Sequence, residues 1–355
     1  MSEYPYLAEF SDWVVAAEAR GALRSPGALV SPSRIREALG FAREDEQPGD
    51  VRVERAWEAH GVAGEEVSWS VGYGPRTHAY VLRPAGTRGP LPGVVALHSH
   101  DGFKFHGKEK IADGPAGCEP AVAALRANAY GGRAFANALA REGFVVLAHD
   151  VFLWGSRKFA PHGSAPSEPA AYNAEAGGYE HVVEKYAALL GTTLAGVVSY
   201  EDRVALAYLR SRPDVDAGRV GCAGLSGGGC RSALLLATSD HLAAAVVVGM
   251  MSTYAGLLGD HVAKHTWMFF PPAYARLGDW PDLAACRAPT PLLVQYDEED
   301  NLFTPEGMRA AHERIGALYR EAGRADAYTG QFYPGPHKFD VPMQEAAFTW
   351  LGDRL

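Results

Sequence analysis

Cysteine is scarce in this chain of 355 residues: there are four, Cys118, Cys222, Cys230 and Cys286. No two of them stand at C-x-x-C spacing and none belongs to a Cys/His pattern, which excludes a disulfide scaffold and a zinc ribbon. They read as reduced, mostly buried thiols of a cytosolic protein. Positive charge is also short. The 33 Lys and Arg face 42 Asp and Glu, a formal net charge of −9; with no basic block in the sequence, a nucleic-acid surface is excluded. No apolar run approaches the length of a membrane helix, so no membrane partner is expected. The opening residues, MSEYPYLAEFSDWVV, are acidic and lack a basic stretch followed by an apolar core. No secretory signal is visible there, and a cytoplasmic location is expected. Internal repeats and linkers are missing too. What remains, 47% apolar and 21% charged residues, is the composition of an ordinary globular protein large enough for a substantial core. Whether it forms a homo-oligomer is left open.

The chain is organised around residues 219–229, where a short β-branched run leads into Gly224-x-Ser226-x-Gly228 and then into the helical Cys230–Leu236. Strand, tight turn and helix in that order make a nucleophile elbow, with Ser226 projecting at the top of a sheet. A serine hydroxyl is a poor nucleophile and needs a general base. From Gly93 onward strands alternate with helices: 93–98, 144–148, the elbow strand, 243–249, 291–296 and 327–333 are strands covered on both faces. This predicts an α/β fold, a doubly wound and mostly parallel sheet with helices on both faces. Residues 1–60, rich in Ala, Glu and Arg, predict a helical N-terminal extension with helices near 13–20 and 32–41, and 61–355 the main domain. Ser199–Asp202 has the pattern of a capping box opening a helix. Residues 161–178, small and polar, predict a loop. The aromatic-rich insertion of about 250–282 predicts a cap or pocket wall.

Functional groups of an open α/β sheet gather at the carboxyl ends of its strands. Asp300 stands just past the 291–296 strand and His337 just past the last one, giving the order Ser, Asp, His. His337 is therefore the candidate base and Asp300 the candidate acid, with Asp297, directly on the strand end, as the alternative. Oxyanion donors are expected from the backbone N–H of Gly227 and of His100. The group His98, His100, Asp101 and His106 resembles a metal cluster but has no further ligand at suitable spacing, so no metal is expected.

The residues Leu97–Gly102, Gly107–Lys110, Tyr130–Arg133, His149-Asp150, Trp154–Arg157, Arg212–Asp216, Gly224–Gly229, Asp300 and His337 together resemble the α/β-hydrolase superfamily, within its dienelactone hydrolase and acetyl-xylan-esterase-like group. The likeness covers about residues 93–355, with one departure: the His-Gly pair after the third strand is His98-Ser99 here. It implies hydrolysis of a small-molecule ester without a cofactor. Asp101, Trp154, Arg157 and Trp267 are the candidates for substrate contact. A lactone-opening variant would use Lys104, Lys108 or Lys110 to pair a substrate carboxylate, although a solvated loop is the plainer reading for them. A peptidase and a non-catalytic binding protein on the same scaffold are the remaining rivals.

Overall fold

The computed structural model describes residues 4–23, 29–41, 45–159 and 168–355. In chain order the elements are α1 (Asp12–Ala19), α2 (Pro32–Leu39), β1 (Gly49–Ala59), β2 (Val62–Ser70), β3 (Thr77–Pro84), β4 (Leu91–Leu97), α3 (Pro120–Ala129), α4 (Phe135–Arg141) and β5 (Val145–His149). There follow α5 (Pro169–Leu189), α6 (Leu194–Ser211), β6 (Val215–Leu225), α7 (Gly227–Thr238), β7 (Ala244–Val248), α8 (Trp280–Ala285), β8 (Leu292–Asp297), α9 (Pro305–Glu321), β9 (Tyr328–Tyr333) and α10 (Val341–Gly352). The nine strands form one sheet in the order β1-β2-β3-β5-β4-β6-β7-β8-β9. From β5 to β9 along that order every pair is parallel, while β1, β2 and β3 are antiparallel at one edge. One face buries α6, α7, α8 and α9; the other buries α4 and α10. Central strands such as Ala244–Val248 are buried along their whole length, as continuous apolar runs covered on both faces must be.

Three expectations need correction. Residues 49–59 are not part of a helical extension: they form β1, joined to β2 by a tight turn at His60-Gly61, both at positive φ (51° and 77°). That is the turn chemistry a two-residue hairpin requires. Ser199–Asp202 does not open a helix. α6 starts at Leu194, where the Thr193 hydroxyl accepts from the Gly196 N–H at 3.0 Å, and Ser199 and Asp202 lie inside it, fully buried. The expected loop at 161–178 falls partly outside the described residues, and from Pro169 onward it is helix α5. Its buried residues Tyr172, Ala176, Glu180, Glu184 and Ala187 recur at helical spacing.

Residues 250–279, between β7 and α8, are a succession of single 3-10 turns. Tyr254, Met268, Phe269, Tyr274 and Trp280 pack into the core on the α7–α9 side, so most of the aromatics of this insertion hold it down. Cys222, Cys230 and Cys286 are buried and Cys118 is exposed, all with free thiols. No single helix among the described residues is long and apolar enough to cross a membrane.

Candidate active site

Small residues at the end of β6 make the turn at Ser226. A Cβ on Gly224 would lie 2.5 Å from the Gly228 carbonyl carbon, and one on Gly228 would lie 2.1 Å from Leu97 O, so only glycine fits at either position. Between them Ser226 has φ 58° and ψ −119°, a conformation that costs a residue with a side chain about 1–3 kcal/mol. Its N–H donates to Val248 O and its carbonyl accepts from the Cys230 N–H, both at 2.8 Å. Beneath the turn, Arg231 donates to Asp202 (2.6 Å) and to His98 O (3.3 Å), and Asp202 also meets His149 Nε2 at 2.8 Å. Burial disfavours the Asp202 carboxylate, yet Arg231 and His149 outweigh it and hold the group below its ordinary pKa.

His337, in the turn after β9, meets the Asp300 carboxylate: Nδ1 lies 2.6 Å from Oδ2. The second oxygen, Oδ1, accepts from the Leu302 N–H at 2.8 Å. With Nδ1–H donated to the carboxylate, Nε2 is left as the unprotonated nitrogen. Nε2 is buried without a partner among the described residues, and Ser226 and His337 line one cavity. Burial opposes the imidazolium, but the hydrogen bond and charge of Asp300, reinforced by Asp297 and Asp101, raise the His337 pKa above its usual value. Asp297 is arranged differently. Its Oδ2 accepts from the Lys338 N–H at 3.1 Å, Oδ1 has no partner among the described residues, and burial pushes the carboxyl up to about 7. The structure joins Asp300, not Asp297, to the imidazole.

The loop after β4 runs alongside the elbow. A Cβ on Gly227 would lie 2.7 Å from the His100 nitrogen, and neither backbone N–H finds an acceptor among the described residues. Two free N–H groups thus sit together at the start of α7, where the helix end is positive. His100 is clamped at both ring nitrogens: Nδ1 accepts from the Gly102 N–H at 3.0 Å and Nε2 meets Glu180 at 2.7 Å. Glu180, on α5, also accepts from Lys104 (2.6 Å), from the Trp267 N–H (3.0 Å) and from the Thr266 hydroxyl. Burial opposes its charge, but His100 and Lys104 hold the carboxyl far below the usual range. The sequence reading missed Glu180, and the period of α5 was the signal for it.

The other candidates settle as follows. Asp101, at φ 52°, lines the cavity, and its carboxylate accepts from the Ser99 hydroxyl. Trp154 is buried under the loop, its Nε1–H donating to His100 O at 3.3 Å, so it supports the backbone and does not reach the cavity. Arg157 is buried as well, paired with Glu201 at 2.5 Å and donating to Tyr73 O at 3.0 Å. Trp267 does not line the cavity either; its N–H donates to Glu180 at 3.0 Å. Lys104, Lys108 and Lys110 are neither solvated nor free to pair a substrate. All three are buried, on Glu180, on Asp150 (3.0 Å) and on Ser99 O (2.7 Å) respectively. The cavity, about 490 Å³, is lined also by Met250, Lys264, His265, Thr266 and Phe269 from the insertion and by Leu302 and Phe303. A separate apolar cavity of about 540 Å³ lies between the α1 segment and the insertion, lined by Leu7, Trp13, Val14, Leu258 and Val262 among others.

No family model matches the chain. It is 27% identical over 251 residues to YtaP of Bacillus subtilis (strain 168), a protein whose name calls it, provisionally, a hydrolase; the match spans 70% of this chain and 74% of that one. Among solved structures, a glucuronoyl esterase from Solibacter usitatus superposes with a TM-score of 0.66 at 15% identity, over 91% of this chain and 92% of the other. Acetyl xylan esterase 1 from Thermoanaerobacterium sp. JW/SL YS485 does so with a TM-score of 0.55 at 15% identity, over 93% and 95%. With its mostly parallel sheet and the helices on both faces, the chain has the α/β-hydrolase fold.

Proposed function

We propose that the chain is a serine carboxylic ester hydrolase acting through Ser226, His337 and Asp300, with an ester borne on a carbohydrate as its substrate class. One observation carries the reading. A serine on a strained elbow opens on the same cavity as an imidazole whose far nitrogen is fixed by a buried carboxylate, beside two unengaged backbone N–H groups. In this reading Ser226 Oγ attacks the ester carbonyl as His337 Nε2 takes its proton. Asp300 stabilises the imidazolium, and the N–H groups of Gly227 and His100 receive the oxyanion. The imidazolium then protonates the departing alcohol, leaving an acyl group on Ser226. Water, deprotonated by the same nitrogen, releases the acid. The carbohydrate rests on the names of the structural neighbours, glucuronoyl and acetyl xylan esterases, and on a cavity wall that sets Asp101, Lys264 and Thr266 beside Phe269 and Phe303.

The test is labelling by a fluorophosphonate, followed by a panel of acetylated xylo-oligosaccharides, methyl esters of glucuronic acid, lactones and aryl esters. Labelling of the wild type but not of Ser226→Ala, with the highest kcat/KM on a sugar ester, is the expected result. An unlabelled, folded wild-type protein would sink the reading.

A further inference from the structure

We propose that Lys110 is a positioning residue of the oxyanion site, its buried ammonium polarising the Ser99–His100 peptide group so that the His100 N–H donates more strongly to the tetrahedral intermediate. The inference rests on the esterase reading above. Lys110 Nζ donates to Ser99 O at 2.7 Å and to His100 O at 3.0 Å. Ser99 O belongs to the same peptide unit as the His100 N–H, and the two ends of a peptide share one delocalised system. A cation at the oxygen draws electron density towards it and leaves the N–H more positive, the cooperative effect that links hydrogen bonds in a chain. That N–H is the one lying against Gly227 with no protein acceptor of its own among the described residues.

The lysine is built into place. Its side chain is fully buried, and its own carbonyl accepts from Arg126 Nε at 3.1 Å. A lysine present only to neutralise Asp101 would lie closest to that carboxylate, yet Nζ is 3.5 Å from Asp101 and nearer to both carbonyls. The charged groups facing it are Asp101 from the same loop, Lys104 further along it and Arg231 from α7, and the titratable imidazoles of His98 and His100 also feel its charge. Burial lowers the ammonium pKa, Asp101 raises it, Lys104 and Arg231 lower it, and the balance is about 8. The charge is therefore largely present at neutral pH and lost in mild alkali.

The experiment uses the full chain, p-nitrophenyl acetate and a boronic acid whose tetrahedral adduct puts an oxygen in the oxyanion site. Fluorophosphonate labelling of the wild type comes first, because its failure would overturn the esterase reading itself and not the role of Lys110. Deleting a whole oxyanion donor costs on the order of 10²–10³ in kcat, so Lys110→Met, which weakens one, should lose roughly 10- to 100-fold. KM should stay within about twofold and boronate affinity should fall by the same factor as kcat, because both report the tetrahedral state. A kcat within about twofold of the wild type, or a lowered kcat with unchanged boronate affinity, overturns the proposal. Lys110→Arg supplies the second measurement should the methionine variant not fold. Wild-type kcat should decline above about pH 8, and the arginine variant, whose charge persists, should lack that decline. The same alkaline decline in both proteins overturns the proposal.

Discussion

Changing Asp300 to asparagine alters the candidate acid at the atoms where it is tied down. Both carboxylate oxygens accept: Oδ2 from His337 Nδ1 at 2.6 Å and Oδ1 from the Leu302 N–H at 2.8 Å. An asparagine has one oxygen and one NH₂, so it can satisfy only one of these donors. If its oxygen stays on Leu302, the NH₂ faces His337, and Nδ1 must become the acceptor. The imidazole proton then moves to Nε2, which can no longer take a proton from Ser226. A wrong-tautomer histidine costs on the order of 10⁴ in turnover, about 5.4 kcal/mol of barrier. Asp297→Asn is the contrasting change. That carboxyl, with a pKa of about 7 and one oxygen without a partner among the described residues, is already half neutral near pH 7, and the amide oxygen can still accept from the Lys338 N–H. Its loss should be no more than about tenfold. The assay is kcat on p-nitrophenyl acetate at pH 7.0 (a chosen condition, roughly neutral), with thermal unfolding of each variant as the control. If Asp297→Asn does more damage than Asp300→Asn in folded proteins, the assignment of the acid is wrong.

Ser226→Ala should unfold like the wild type and lose activity by on the order of 10⁶, read as kcat against the uncatalysed background. The acid limb of kcat/KM should lie above the ordinary histidine value of about 6.5, because His337 must be neutral to act and Asp300 favours its charged form; a limb below that value refutes the assigned electrostatics. Arg231→Met leaves Asp202 buried without its main partner and should destabilise by roughly 3–5 kcal/mol in chemical unfolding; a change under about 1 kcal/mol contradicts the arrangement. In a p-nitrophenyl ester series, acetyl to butyryl should be turned over better than palmitoyl, since the cavity of about 490 Å³ is ringed by polar as well as aromatic groups; a kcat/KM that climbs steadily to long chains points to an acyl tunnel instead.

The parts legible in the sequence are those in which one residue type has a single cheap conformation or environment. The parallel strands announced themselves because a run such as Ala244–Val248 can be stable only when covered on both faces. The elbow was legible because glycine at 224 and 228 answers a contact that any Cβ would break. From these two features the strand ends that would carry the acid and the base followed by topology, which left Asp297 beside Asp300 as an alternative acid. The edge strand β1 did not follow, since its residues are almost all exposed and carry no burial pattern; the turn pair His60-Gly61 was its one signal, and the sequence reading passed it over. Helix α5 was obscured by Gly177-Gly178, whose cost in a helix of about 1 kcal/mol each is outweighed when the opposite face is buried at a regular period.

Charged residues account for several of the errors. Lys104, Lys108, Lys110, Arg157 and Glu180 are all buried, against the ordinary preference of such residues for the surface. The loop after β4 explains the case of Lys110. On the proposed reading, a loop that keeps the His100 N–H for a reacting oxygen cannot pair its peptide groups in a sheet ladder, and the Ser99 and His100 carbonyls turn instead to Lys110. Something must donate to those carbonyls without competing for the N–H, and a lysine ammonium, with three donors and no acceptor, meets that need. Each such cation then needs a nearby anion or acceptor, which is how Asp150 comes to lie under Lys108, Glu180 under Lys104, and the carbonyls of Ser99 and His100 on Lys110. The pairing is set by three-dimensional approach between the loop, α5 and the end of β5, and no spacing along the chain encodes it. The buried charge of Lys110 thus goes with a loop that leaves one backbone donor unspent, and it lies beside the candidate oxyanion site.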